Sequence, residues 1–245
     1  MSEISKKAIV IGATSGIGRA VAEHLVEQGY YVGITGRREE LLKEFFARHP
    51  ERTYFKTMDV GKPSEAVQLL IELIDELGGM DLIVISAGVG LLNPSLKWAG
   101  EKQTIDVNVS GFTAIADTAM VHFFKQGHGH LVGISSIAAF RGYGDAPAYY
   151  ASKAYMSNYL DGLRFKAAKS KVPIYVTDIK PGLVDTPMIK GQEGMFWVAG
   201  PETAAKQIFR AVQKKKKRAY VTRRWRLIAW MMQTMPDFLY QRFWQ

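Results

Sequence analysis

The sequence predicts an α/β fold, a doubly wound, parallel seven-stranded sheet with helices on both faces and a C-terminal helical extension over 214–245. Three observations predict it. Short apolar runs alternate with longer helical patterns from end to end, as repeated βαβ units require. The first apolar run ends in a glycine-rich turn that opens a helix. Central runs such as Asp81 to Ser86 are nearly continuous in apolar residues, as strands covered on both faces must be.

Strands are expected near 7–12, 30–35, 53–57, 81–86, 130–135, 173–179 and 218–221. Helices are expected between them, near 17–28, 39–48, 64–77, 101–126, 147–169 and 202–213. No internal repeat or low-complexity linker interrupts the pattern, so 1–245 reads as one domain, and 47% hydrophobic content is enough for a core.

Composition narrows the chemistry. With no cysteine, disulfides, thiolate metal sites and a cysteine nucleophile are excluded, which fits a reducing, cytoplasmic setting. The N-terminal stretch lacks the apolar core of a secretory signal, and no run reaches the roughly 18–20 apolar residues of a membrane span. His24, His49, His122, His128 and His130 lack metal-ligand spacing with acidic partners, and His128 and His130 read as surface residues at a turn; no metal is expected. The net charge of +9 is concentrated in Lys214, Lys215, Lys216, Lys217, Arg218, Arg223, Arg224 and Arg226, a local basic patch on a nearly neutral body.

The first strand runs into Gly12, Ala13, Thr14, Ser15, Gly16, Ile17 and Gly18. Glycines at this spacing let the backbone turn sharply and approach a pyrophosphate, and the helix start then offers free N–H groups. A tight strand–helix turn without a ligand would look the same in isolation. The second strand leads into Arg37 and Arg38 with no acid before Glu39. A carboxylate there would suit a free ribose hydroxyl; a guanidinium suits a 2′-phosphate, so the pair favours NADPH over NADH.

Tyr149 and Lys153 are four residues apart in an expected helix, hence stacked on one face. A nearby ammonium favours the phenolate and brings the tyrosine toward a useful working range. Tyr150 lacks such a partner at that spacing. Ser136, thirteen residues before Tyr149, closes an expected strand and faces the ligand crevice at its carboxyl end. Asn108 lies within the long helix before that strand.

Taken in order, the glycine loop, Asn108, Ser136, Tyr149 and Lys153 resemble the Asn-Ser-Tyr-Lys tetrad of the short-chain dehydrogenase/reductase family, which has a Rossmann-type fold. Asp59 and Val60 after the third strand, Ser86, Ala87 and Gly88 after the fourth, and Pro181, Gly182, Val184 and Thr186 after the sixth extend the resemblance over roughly 6–190. It implies Tyr149 as general acid/base and Lys153 as the residue that lowers its pKa and holds the cofactor ribose. It implies that Ser136 polarises a carbonyl and that Asn108 anchors a water in a proton relay. Asp59 and Val60 would contact adenine, and Thr186 the nicotinamide amide. Two departures, Ile11 where the family usually has threonine and Ser86 where it has asparagine, bear on how neighbouring turns are knitted together.

Beyond Thr186, the stretch 187–200 corresponds to the family's substrate lid, where Met188, Met195, Phe196 and Trp197 suggest an apolar pocket wall, or else pack the lid on its own body. Leu91, Leu92 and Trp98 are candidates for the same wall. In the extension, Ile228, Met231, Met232 and Met235 share a helical face, and Pro236 suits a break and restart. Such a basic, tryptophan-rich helix suits peripheral membrane contact, or it covers the substrate mouth or forms a subunit interface; it carries no nucleic-acid motif.

The resulting expectation is an NADP(H)-dependent oxidoreductase, a carbonyl reductase or alcohol dehydrogenase for a lipophilic small molecule, forming a homodimer or homotetramer through the helices near 101–126 and 147–169. The alternatives are a 3-oxoacyl-carrier-protein reductase whose acidic carrier docks on Lys214 to Lys217, and a non-catalytic NADPH-binding redox sensor.

Overall fold

The structure, a computed structural model, describes residues 6–189 and 196–243. Seven parallel strands form one sheet in the order β3-β2-β1-β4-β5-β6-β7. They are β1 (Lys7–Ile11), β2 (Tyr31–Gly36), β3 (Thr53–Thr57), β4 (Leu82–Ile85), β5 (Gly129–Ile134), β6 (Ile174–Pro181) and β7 (Arg218–Val221). The chain leaves β1 toward β2 and later returns to add β4 on β1's other side. This makes the gap between β1 and β4 the topological switch point, where such sheets bind ligands at their carboxyl edge.

The helices are α1 (Gly16–Glu27), α2 (Glu39–Arg48), α3 (Pro63–Leu77), α4 (Trp98–Ile105), α5 (Phe112–Gln126), α6 (Pro147–Ser170), α7 (Pro201–Gln213), α8 (Trp225–Thr234) and α9 (Asp237–Phe243). Alternation along β1 shows why both faces must be covered. Ala8 and Val10 pack with α1, α2 and α7, while Ile9 and Ile11 pack with α3, α5 and α6. Stripping one layer would leave an apolar sheet face in water.

Four expectations need correction. The helix expected over 101–126 starts at Trp98 and is interrupted by a π-helical turn, Asp106–Gly111, that separates α4 from α5. The buried face of α8 is Trp225, Ala229 and Met232, whereas Met231 faces outward, so the expected Ile228–Met231–Met232–Met235 stripe is rotated. His130 is no surface residue. It is buried on β5 beside Thr177, with Nε2 and Oγ1 2.8 Å apart, and burial pushes its pKa down to about 4.

The basic run 214–226 is also not one patch. Because β7 is parallel to β6, Lys214 to Lys217 lie at the amino edge of the sheet, while Arg223, Arg224 and Arg226 follow β7 at the carboxyl edge. Between them Arg218 comes within 4.0 Å of Asp178.

On β6 the core contains an ion pair. Lys180 Nζ lies 2.9 Å from Asp178 Oδ2, and their side chains are 0% and 1% exposed. Ser157 Oγ donates to Asp178 Oδ2 at 2.7 Å and accepts from Lys180 Nζ at 2.6 Å, and Ser135 donates to Asp178 Oδ1. A buried charge stripped of its partner is far more costly than the pair. Lys180→Met should therefore lower unfolding free energy by about 3–5 kcal/mol in urea titrations, and adding Asp178→Leu should restore part of that loss.

Candidate functional site

The chain leaving β1 turns through Gly12 at φ +89° and Gly16 at φ +57°, values that L side chains tolerate poorly. A Cβ on Gly12 would lie 2.6 Å from the Ala87 nitrogen, so any larger residue would push the loop after β4 away. Ser86 and Ala87 both donate their N–H to the Ile11 carbonyl, at 2.9 and 2.8 Å, knitting the two loops together despite Ile11 and Ser86 at the family's threonine and asparagine positions. Ile17 and Gly18 lie in the first turn of α1, whose N-cap is Ser15. That turn carries no acidic residue and no side-chain cap, so its N–H groups and positive dipole end are left for an external anion.

Arg38 completes this cradle. Its Nη2 donates to Thr14 Oγ1 and Ser15 Oγ, both at 2.7 Å, and its Nε donates to Thr14 Oγ1 at 3.2 Å. Its neighbour Arg37 is exposed. Adjoining the cradle, a cavity of about 420 Å³ is lined by Thr14, Ser15, Gly16, Thr186 and Pro187 among others. A Cβ on Gly16 would meet Thr186 Cγ2 at 2.9 Å. A pyrophosphate on the helix start and a second phosphate on Arg38 fit these donors.

Further along the crevice, Asp59 accepts the Gly61 N–H at 2.9 Å, and Val60 is buried against the π-helical turn, where a Cβ on Gly111 would overlap the Val60 carbonyl. That turn aims Asn108, 0% exposed, back at the loop after β4. Its Oδ1 accepts from Val89 N–H at 2.9 Å, and its Nδ2 donates to the Val89 carbonyl at 2.8 Å and to Ser152 Oγ at 3.0 Å. Gly88 is hemmed in by the same group. A Cβ there would lie 3.3 Å from Asn108 Oδ1 and 3.5 Å from Lys153 Nζ.

Ser136 lies just past the end of β5 as N-cap of a short 3-10 turn, accepting the Ala138 N–H at 3.1 Å. It is hydrogen-bonded to Tyr149, a contact that its place at a strand's end did not by itself give. Tyr149 and Lys153 share one face of α6, with Lys153 Nζ 5.7 Å from the centre of the Tyr149 ring. The ammonium donates to the Ile134 carbonyl at 3.0 Å and approaches Met156 Sδ at 3.6 Å.

Electrostatics in this conformation differ from expectation. Burial raises the Tyr149 phenol above its ordinary value, and the Ser136 hydrogen bond offsets only part of that; Lys153 does not bring it down. Burial lowers Lys153 itself to about 8, with Asp178 opposing and Lys180 reinforcing the shift. The unfolded chain therefore holds a proton that the folded chain lacks between about pH 8 and pH 10.5, so stability should climb with pH across that window. Urea midpoints followed over this range should rise more for the wild type than for Lys153→Met.

At the end of β6, Pro181 is buried, and the Gly182 N–H that follows donates to the Val221 carbonyl at 2.7 Å. Val184 and Ala199 form an isolated parallel bridge. Met188 reaches back toward the tyrosine, since a Cβ on Gly90 would lie 3.1 Å from Met188 Sδ and 3.2 Å from Tyr149 Cε2. Met195 lies outside the described residues. Phe196 and Trp197 do not line a closed wall; each is partly exposed and packs against Trp225 of α8, with ring centres 5.2 and 6.1 Å apart. Leu92 and Trp98 are exposed.

Trp225 was missed by sequence reasoning. It is buried so tightly over Gly182 that a Cβ there would overlap the indole. Arg141 was missed as well. Lying in the loop between Ser136 and Tyr149, it donates to the carbonyls of Met232, at 3.1 Å, and Met235, pairs with Asp237 and stacks over Tyr240. The extension is thus latched to the segment that carries the candidate catalytic groups. An isolated arginine in a loop gives no periodic signal of such a contact.

The short chain dehydrogenase family profile matches residues 6–195. An uncharacterised oxidoreductase of Mycobacterium tuberculosis is 31% identical over 248 residues, covering 97% of each chain. Among solved structures, a short-chain dehydrogenase from Streptomyces avermitilis superposes with a TM-score of 0.78 at 24% identity, covering 90% of this chain and 89% of its own. An actinorhodin polyketide ketoreductase variant with NADPH gives 0.79 at 22% identity, covering 88% and 95%. With a matching profile over most of its length and the parallel sheet that the family's solved members share, the chain belongs to the short-chain dehydrogenase/reductase family of oxidoreductases.

Proposed function

We propose that this oxidoreductase is an NADPH-dependent reductase of ketones or aldehydes, reversible toward the alcohol, acting on a lipophilic substrate in the cytoplasm. The observation that carries the reading is the convergence of Ser136, Tyr149 and Lys153 at the carboxyl edge beside the phosphate cradle. The ketoreductase with NADPH among its structural neighbours supports the cofactor assignment.

The bound nicotinamide supplies the hydride; the protein positions, polarises and moves protons. The helix start of α1 and the glycine loop would hold the pyrophosphate, with Arg38 on the 2′-phosphate and the exposed Arg37 a second cation beside it. Asp59 and Val60 would take the adenine, Lys153 the ribose hydroxyls, and Thr186, with Pro181, Gly182 and Val184, the nicotinamide end. Ser136 donates to the substrate oxygen, and Tyr149 delivers a proton to it as charge develops. Lys153 replenishes that proton, with Asn108 fixing the loop and π-helical turn around it. Ribose hydroxyls bound to the Lys153 ammonium would favour its charged form and so bring the phenol down from its raised value.

Met188, beside the tyrosine, borders the substrate space, while Phe196 and Trp197 lie outside it against Trp225. The exposed Val121 on α5 and Phe165 on α6 suit pairing of copies through these helices. A carrier protein docked on Lys214 to Lys217 would sit at the edge of the sheet away from Tyr149, which weighs against that alternative.

Two measurements test the reading. Arg38→Gln removes a charged group that would hold the 2′-phosphate and should weaken NADPH binding by roughly 10- to 100-fold in fluorescence titrations while leaving NADH binding nearly unchanged. Tyr149→Phe should bind NADPH as the wild type does yet lose ketone-dependent NADPH oxidation by about 100-fold or more. Undiminished turnover in that variant would reject Tyr149 as the proton donor, and binding without turnover by the wild type across a broad ketone panel would favour the sensor.

A further inference from the structure

Helix α8 has two apolar faces, and the fold uses only one. Trp225, Ala229 and Met232 are buried against the body, whereas Leu227 and Trp230 are 68% and 66% exposed, with Met231 beside them. Residues 227, 230 and 231 follow i, i+3, i+4 spacing, so they form one outward stripe. Phe238 on α9 is exposed as well, and Phe196 and Trp197, which pack on Trp225, are partly exposed.

Charge accompanies the stripe. A groove of about 560 Å³ at its start is lined by Arg223, Arg224, Arg226, Leu227 and Trp230. Arg224 also lies 5.0 Å from the Trp197 ring, joining the groove to the lid segment. From residue 219 to the end of the sequence the one acidic residue is Asp237, which is paired with Arg141. The three arginines of the groove thus face solvent beside exposed tryptophan and leucine. No helix among the described residues is long and apolar enough to cross a bilayer, so contact would be with its surface.

We propose that the outward face of α8, with Arg223, Arg224 and Arg226, docks on an anionic phospholipid surface, turning the mouth beside the lid segment toward the bilayer. The indole and leucine enter the boundary between headgroups and acyl chains while the guanidiniums bind headgroup phosphates. Arg223, Arg224 and Arg226 lie at the carboxyl edge, the edge that holds Tyr149, so a lipophilic substrate would pass from the acyl layer to the site without crossing bulk water. The delivery route rests on the proposed reductase reading; the docking itself does not.

The test is co-sedimentation of the full chain with phosphatidylcholine vesicles made with and without phosphatidylglycerol. Binding should require phosphatidylglycerol and weaken with added salt. Arg223→Gln/Arg226→Gln should reduce partitioning by roughly thirtyfold, from about fivefold for each charge. Leu227→Glu/Trp230→Glu should abolish it. Both double variants should retain wild-type circular dichroism, NADPH binding and turnover of a water-soluble ketone, so loss of docking and loss of reductase activity are read separately. No vesicle binding, equal binding to vesicles without phosphatidylglycerol, or equal binding by the variants would overturn the proposal. So would a dimer that dissociates in the glutamate variant without any vesicle binding, which would give the face to a second copy.

Discussion

How closely the chain leaving β1 approaches the chain leaving β4 governs the carboxyl edge of this molecule. Gly12 permits that approach, because the space its side chain would need already belongs to Ala87. Once the two loops meet, Gly88 is brought under Asn108 and Lys153, and the helix start of α1 faces the opening between them. Sheet order alone would give a crevice. The contact gives it a floor at fixed depth, against which groups from β5, α6 and the π-helical turn are arranged.

The polar side of the arrangement is held from behind. Ser135 and Ser157 clasp Asp178, which in turn pairs with Lys180, and both serines stand close in sequence to candidate catalytic groups. Ser135 precedes Ser136, and Ser157 follows Lys153 by one helical turn. Removing either partner of a fully buried pair would leave the other charge uncompensated, so the two are kept together. Here the pair ties β6 to α6 directly beneath the lysine. Asn108 performs a comparable service from the other side, linking the loop after β4 to α6 through Ser152.

Most of the fold was legible in the sequence because strand periodicity, apolar continuity and glycine punctuation all act locally. Each expected strand lies within two residues of its observed bounds, and the four-residue spacing of Tyr149 and Lys153 sets them on one face of α6. What escaped was non-local or one residue out of phase. A single additional residue in the turn at Asp106–Gly111 leaves the apolar pattern of 101–126 almost intact, so periodicity could not register it. The Asp178–Lys180 pair did leave a signal, two opposite charges two residues apart on an apolar strand and therefore on one face. The basic run misled because proximity in sequence was read as proximity in space, whereas β7 divides it between two edges of the sheet.

The latch made by Arg141 ties two segments far apart in sequence into one unit. Its guanidinium takes up carbonyls that the last turn of α8 leaves without partners, and its own backbone belongs to the loop between Ser136 and Tyr149. Ordering one of these segments lowers the entropy still to be lost by the other. Any coupling carried by this contact is reciprocal, so order in the extension and order in the loop between Ser136 and Tyr149 would favour each other by the same factor.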